Sequence, residues 1–157
     1  MRRYTIFQNV LEKLTILIIL GTIVWVTTCY GKMPDEIPTH FDFHGNVTGT
    51  GGKGMIWLML GLDVFCALCM LIPGRFLPIN SRTVHLGVRI PDEAWPLVTP
   101  LTVSLLLWCA LFCSLLFAIP NIELIYGKSE PISVGVLVTI LVAVCAYYTR
   151  RIRYACR

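Results

Sequence analysis

Three groups of residues have types and spacings that could do chemistry. His40, Asp42 and His44 alternate along one short polar stretch. Two imidazoles and a carboxylate on one period-two face are a donor set for a divalent metal or a polar ligand. Asp63 stands inside an apolar run that contains no Lys, Arg or His, and a carboxyl group in such a run is read first as functional. Cys66-x-x-Cys69 has the spacing of a thiol redox pair. What each group can do depends on the elements that carry it.

Composition identifies those elements. Of 157 residues, 56% are apolar and 14% charged, where soluble domains carry about 25% charge. The mean hydropathy is +0.73. This is the composition of a single-domain polytopic membrane protein spanning 1–157. Four segments have the length and apolarity of spans, at about 14–30, 55–72, 97–119 and 132–149. Their runs are too continuous for barrel strands, and only helices or closed barrels satisfy a backbone in lipid. The expected fold is all-α, a four-transmembrane-helix bundle with a structured loop at 31–54.

The basic residues set the orientation. Arg2, Arg3 and Lys13, then Arg75, Arg82 and Arg89, then Arg150, Arg151, Arg153 and Arg157 all fall on one side of this topology. Lys32, Lys53 and Lys128 fall on the other. Positive-inside bias places both termini in the cytoplasm and the 31–54 loop outside, together with the short 121–131 connection. The net charge of +4 is thereby assigned to membrane borders, and nucleic acid is not an expected partner. The basic C-terminal tail is expected to rest on anionic lipid. No small-x-small site follows the first span, so it reads as retained rather than cleaved.

Within the loop, Pro34 and Pro38 favour extended backbone from Met33 onward. Gly45, Gly49, Gly51 and Gly52 permit tight turns. Phe41 and Phe43 form the apolar face opposite His40, Asp42 and His44. These last three either ligate a metal or bond to nearby backbone and fold the loop into a lid. Lys53 and Trp57 are expected to anchor the second span at the interface.

The stretch Met33–Phe41, with Gly45, Gly51 and Lys53, resembles a bacterial membrane family of unknown function (domain of unknown function 1648). That family carries an extracytoplasmic L-P-[DE]-x-I-P-x-H-[FW] signature with a glycine and a G-[ST]-K ending. Pro34, Asp35, Ile37, Pro38, His40, Phe41, Gly45, Gly51 and Lys53 match it as they stand. Met33 replaces its leucine and Gly52 its small hydroxyl residue, while Thr48 and Thr50 stand where the family has an acid and an aromatic. The same domain forms the N-terminal part of SdpI-type proteins, which give immunity to a secreted toxic peptide. The segment Gly87–Pro91, with Trp95, is faintly similar to the second part of those proteins. The resemblance implies a lid formed by these nine residues and a non-enzymatic role.

Inside the spans, Asp63 is expected near the midplane, neutral and hydrogen-bonded. Thr22, Trp108 and Thr139 are the polar residues at similar depth, and Ser104 lies a turn from Trp108. The chain has seven cysteines, none in the outer loops. They read as small packing residues, with no disulfide required and no thiol oxidoreductase chemistry. Cys109, Cys113 and Ser114 allow close helix approach. No cofactor is expected. The reading is a non-enzymatic protein of the bacterial cytoplasmic membrane, of immunity or envelope-stress type, recognising a peptide or lipid through residues 33–53. Expected partners are membrane lipids and a secreted peptide or membrane protein. The alternative is a small proton- or cation-coupled transporter subunit using Asp63.

Overall fold

The computed structural model describes residues 4–42, 44–76, 90–126 and 131–156. Arg2, Arg3, Phe43, Arg82, Arg89, Lys128, Arg157 and most of the Gly87–Pro91 segment, all used in the sequence reading, lie outside the described residues.

The order is α1 (Ile6–Tyr30), β1 (Glu36–Phe41), β2 (Val47–Gly52), α2 (Met55–Phe76), a short 3-10 turn (Asp92–Ala94), α3 (Trp95–Tyr126) and α4 (Pro131–Ala155). All four α-helices are long and apolar enough to cross a membrane, the architecture of a multi-pass membrane protein. α1 starts at a capping box: Gln8 N–H donates to Thr5 Oγ1 at 3.2 Å, and Thr5 N–H donates to Gln8 Oε1 at 3.0 Å. The helix therefore begins eight residues before the apolar run that marks its span.

The other helices also outrun their apolar cores. α3 continues through Pro120, where sequence reasoning ends the span at 119. Proline removes one backbone donor, but neighbouring groups compensate in an apolar bundle. The carbonyl that Pro120 leaves unserved is that of Leu116. The Asn121 side-chain amide donates one residue further on, to the Phe117 carbonyl, at 2.9 Å. The 32 residues of α3 rise about 48 Å, against a hydrocarbon core of about 30 Å. Its last turns thus reach the hairpin.

α3 is the hub. It packs against α1, α2 and α4 and touches β1, and it supplies more buried residues than any other helix. α4 packs mainly on α3 and buries only Ile152 in the core. Two apolar clusters hold the bundle. Near the terminal ends, Tyr4, Leu11, Trp95, Val98, Leu107 and Ile152 pack together. Near the hairpin, Val26, Met33, Ile37, Ile56, Leu60 and Leu124 do so.

The loop is a β-hairpin rather than an irregular lid. β1 and β2 pair antiparallel from Glu36↔Gly52 to Phe41↔Val47, with irregular register on either side of His40.

Candidate functional site

The hairpin is fixed at its base, middle and tip. At the base, Lys53 Nζ lies 2.8 Å from an Asp35 carboxylate oxygen, and Lys53 N–H donates to the Asp35 carbonyl at 2.9 Å. The Asp35 carboxyl is held below its ordinary range by the hydrogen bond from Lys53 and then by that residue's charge. The Lys53 ammonium is held above its own range by the same bond. Lys53 also stands 5.4 Å from the Tyr30 ring, which packs on Trp57 at 5.3 Å. This joins the ends of α1 and α2 to the hairpin.

In the middle, Ile37 is buried among Val26, Ile56 and Leu124 and seats β1 on the bundle. A Cβ on Gly51 would come within 2.9 Å of Thr39 Cγ2, so glycine there permits the strands to close. A Cβ on Gly49 would lie 3.3 Å from His40 Nδ1, which shows that the imidazole lies across its strand partner.

At the tip, Asp42 Oδ1 accepts from His44 N–H and Asn46 N–H at 2.8 Å each, and Oδ2 accepts from the Asn46 amide at 2.9 Å. These bonds, the Asn46 side chain first, hold the Asp42 carboxyl below its ordinary range. Gly45 turns the chain with φ 82°, a left-handed conformation that favours glycine.

The expected period-two face of His40, Asp42 and His44 is not formed. β1 ends at Phe41, and Asp42 turns inward to staple the tip. His40 is exposed, with Nδ1 3.1 Å from Thr39 Oγ1. Among the described residues no three His, Cys, Asp or Glu side chains group as a metal site requires. Six of the nine signature residues (Asp35, Ile37, Pro38 within β1, Gly45, Gly51 and Lys53) serve the shape of the hairpin. Phe41 packs partly buried on the hairpin-side cluster, and His40 lies exposed across Gly49.

The second site lies between α1, α2 and α3. Asp63 is fully buried, and neither carboxylate oxygen has a protein hydrogen-bond partner. Ser114 of α3 faces it, itself fully buried and without a bond of good geometry. The register of the surrounding helices is fixed by Gln8, whose amide donates to Ser104 Oγ at 3.0 Å and to the Pro100 carbonyl at 3.1 Å. Counting along α1 from that bond, Thr15 and Thr22 fall about 5 Å and 6 Å to either side of the Ser114 level. Both are buried, each donating to its own helix at 2.9 Å, to the Leu11 and Ile18 carbonyls. Asn121, seven residues beyond Ser114 and so about 10 Å nearer the hairpin, is fully buried with Oδ1 unpartnered.

Of the residues expected beside Asp63, Thr22 lies in this interior. Trp108 and Thr139 do not share its face. They line a groove of about 500 Å³ on the α4 side of α3, where Trp108 stacks on Phe112 and Phe7 and Thr139 donates to the Gly135 carbonyl. The cysteines divide likewise: Cys109 Sγ lies 3.9 Å from Cys145 of α4, while Cys113 is within electrostatic reach of Cys66 and Asp63. Sequence reasoning placed Ser114 among packing residues and Asn121 in a loop. The signal for Asn121 was its position four residues after Phe117, with Ile122, Leu124 and Ile125 following it.

No curated protein and no solved structure matches the chain. One family model does, over residues 16–62, which comprise most of α1, the hairpin and the first turns of α2 up to the residue before Asp63. That model is described as Domain of unknown function (DUF1648).

Proposed function

We propose that this is a non-enzymatic protein of a bacterial cytoplasmic membrane, with both termini inside and the hairpin outside. In this reading the hairpin recognises a secreted membrane-active peptide, as an immunity or envelope-stress protein would. The observation that carries the proposal is the hydrogen-bonded frame of the hairpin beneath one exposed imidazole. The base ion pair, the Ile37 seat and the Asp42 staple fix the backbone before any partner arrives, and a preformed surface loses less entropy on binding. His40 remains exposed on that frame.

A peptide is favoured over a lipid headgroup because a two-stranded sheet leaves an unpaired backbone edge on each strand. Such an edge accepts an extended chain by strand addition. β2, Val47–Gly52, is rich in glycine and threonine, so little side-chain bulk obstructs its edge. The resemblance of the signature to SdpI-type proteins supports the same reading, as does the bias of basic residues toward the terminal side.

The test is survival. A sensitive bacterium expressing the chain is challenged with a panel of secreted membrane-active peptides, beside a strain expressing His40→Ala at equal membrane level. Protection by the unaltered chain that falls at least tenfold in His40→Ala supports recognition through the hairpin. Survival equal to that of cells lacking the chain, across the panel, removes the proposal. Binding of the purified protein to anionic vesicles that is lost in His40→Ala, without protection, reassigns the hairpin to lipid.

A further inference from the structure

A buried carboxylate holds a proton, a cation or a charged partner, because its ionised form is poorly tolerated in an apolar interior. Asp63 has no charged partner among the described residues. The titratable groups near it are thiols, Cys66 on its own helix and Cys113 on α3. α1 contributes the neutral Thr15 and Thr22. Glu12 and Arg75 are ion-paired to each other at 3.5 Å, at the terminal end of the bundle. Buried polar atoms are nearly always bonded, yet Asp63 and Ser114 have only each other: the hydroxyl faces the carboxyl without closing a hydrogen bond of good geometry. Hard oxygen donors of this kind suit small hard ions.

We propose that Asp63 and Ser114 form an exchangeable site for a hard monovalent cation, a proton or a sodium ion, reached from the hairpin end past Asn121 and Thr22. The path has its own observations. Asn121 Oδ1 is a further unpartnered, fully buried oxygen, on the same α3 face as Ser114 because seven residues make nearly two turns. The Thr22 hydroxyl gives its proton to Ile18 and keeps lone pairs to accept with. Counted along the helix axes, Asn121 and Thr22 stand about 10 Å and about 6 Å nearer the hairpin than Ser114. The apolar cluster of Val26, Ile56, Leu60 and Leu124 packs at the head of this file under Ile37, so exchange requires that cluster to part. The inference is independent of peptide recognition: it uses none of the exposed residues of the hairpin.

Infrared spectroscopy of the full chain in bilayers tests it. The surface carboxyls ionise near pH about 4, so above pH about 6 a protonated-carboxyl stretch reports Asp63, and Asp63→Asn identifies it by removing the band. The expected result is a band that moves in deuterium oxide and is lost as pH is raised. A parallel arm at fixed pH replaces N-methylglucamine with sodium. Loss of the band in sodium assigns the site to sodium and proton together, whereas loss only with pH assigns it to the proton alone. A band that neither pH, deuterium nor sodium changes, or no band at any pH in a protein folded as judged by its helical circular dichroism, would overturn the proposal. Ser114→Ala is the second variant: it keeps the carboxyl and should shift the midpoint of the titration, and an unchanged midpoint would remove Ser114 from the site.

Discussion

The hairpin and the interior of the bundle treat their polar groups in opposite ways. In the hairpin the polar side chains that shape the base and tip have partners: Asp35 holds Lys53, Asp42 holds the tip, and Thr39 meets His40. In the interior, Asp63, Ser114 and Asn121 are buried with oxygen atoms that no protein group bonds. The satisfied groups lie at the exposed surface, where water would have served them at little cost. The unsatisfied ones lie where an unmade bond is most expensive. The hairpin's bonds give it shape. Inside the bundle Gln8, Thr15, Thr22 and Thr102 are bonded, and the unmade bonds of this region gather at Asp63, Ser114 and Asn121, the site proposed for ion exchange. The DUF1648 match, which covers the hairpin and stops one residue before Asp63, follows the same division.

The sharpest way to break the comparison is at the seam. Ile37→Ala removes the buried side chain that seats β1 on the bundle. It should cost about 2–5 kcal/mol, read as faster amide exchange through β1 and β2 and a lower thermal midpoint in detergent. Exchange confined to the hairpin would mean that the two regions fold separately. Exchange that spreads to the α2 amides around Asp63 would mean that the seat also closes the path to the interior.

Next in size is Asp63→Val. If the carboxyl is retained for ion chemistry at the expense of packing, an apolar replacement relieves orphaned polar atoms. Reversible unfolding should then show a gain of about 1–3 kcal/mol. A loss of that size would make Asp63 a structural strut and erase the contrast with the hairpin.

How legible these regions were differs for physical reasons. The spans could be read because twenty-odd consecutive apolar residues have one meaning in a backbone that must bond to itself. Their rotation about the helix axis could not be read. A helix apolar on all sides carries no stripe to mark its inner face, which is why Thr139 and Trp108 were expected beside Asp63 and Ser114 was not. Asn121 was hidden by Pro120, whose usual meaning is a helix end. In the loop, the prolines and glycines announced fixed backbone, but strands were not expected from Val47–Gly52 because glycine is depleted in sheets. The role of Asp42 was half visible: its bonding to nearby backbone was one of two readings, and only the fold places His44 and Asn46 N–H on one oxygen.

A smaller effect is expected at the tip. Gly45 has φ 82°, and Gly45→Ala would place an L side chain in that region at a cost of about 1–2 kcal/mol. The loss should be local, seen as protease cleavage between β1 and β2 at an unchanged thermal midpoint of the bundle. A fall in the midpoint itself would show that the tip contributes to packing below.

The smallest effect is that of pH on the hairpin, and its sign differs between the two arms. The Asp35 and Asp42 carboxyls are held below the ordinary carboxylate value of 3.8. Their stabilisation is present above that value and is lost as pH falls through the lower folded values, when the Lys53 bond and the tip staple lose their acceptors. Lys53 is held above 10.5, so its contribution is complete below that value and fades as pH rises through the higher folded one. Amide exchange in β1 and β2, corrected for its intrinsic pH dependence, should therefore be flat from about pH 5 to about pH 10 and quicken beyond both limits. Asp35→Asn should remove most of the alkaline arm while leaving the Asp42 part of the acid arm, because Asp35 is the main cause of the Lys53 shift. An additional step inside the flat region, absent from Asp63→Asn, would mean that titration at the buried site is felt at the hairpin, and that ion occupancy and hairpin stability are linked.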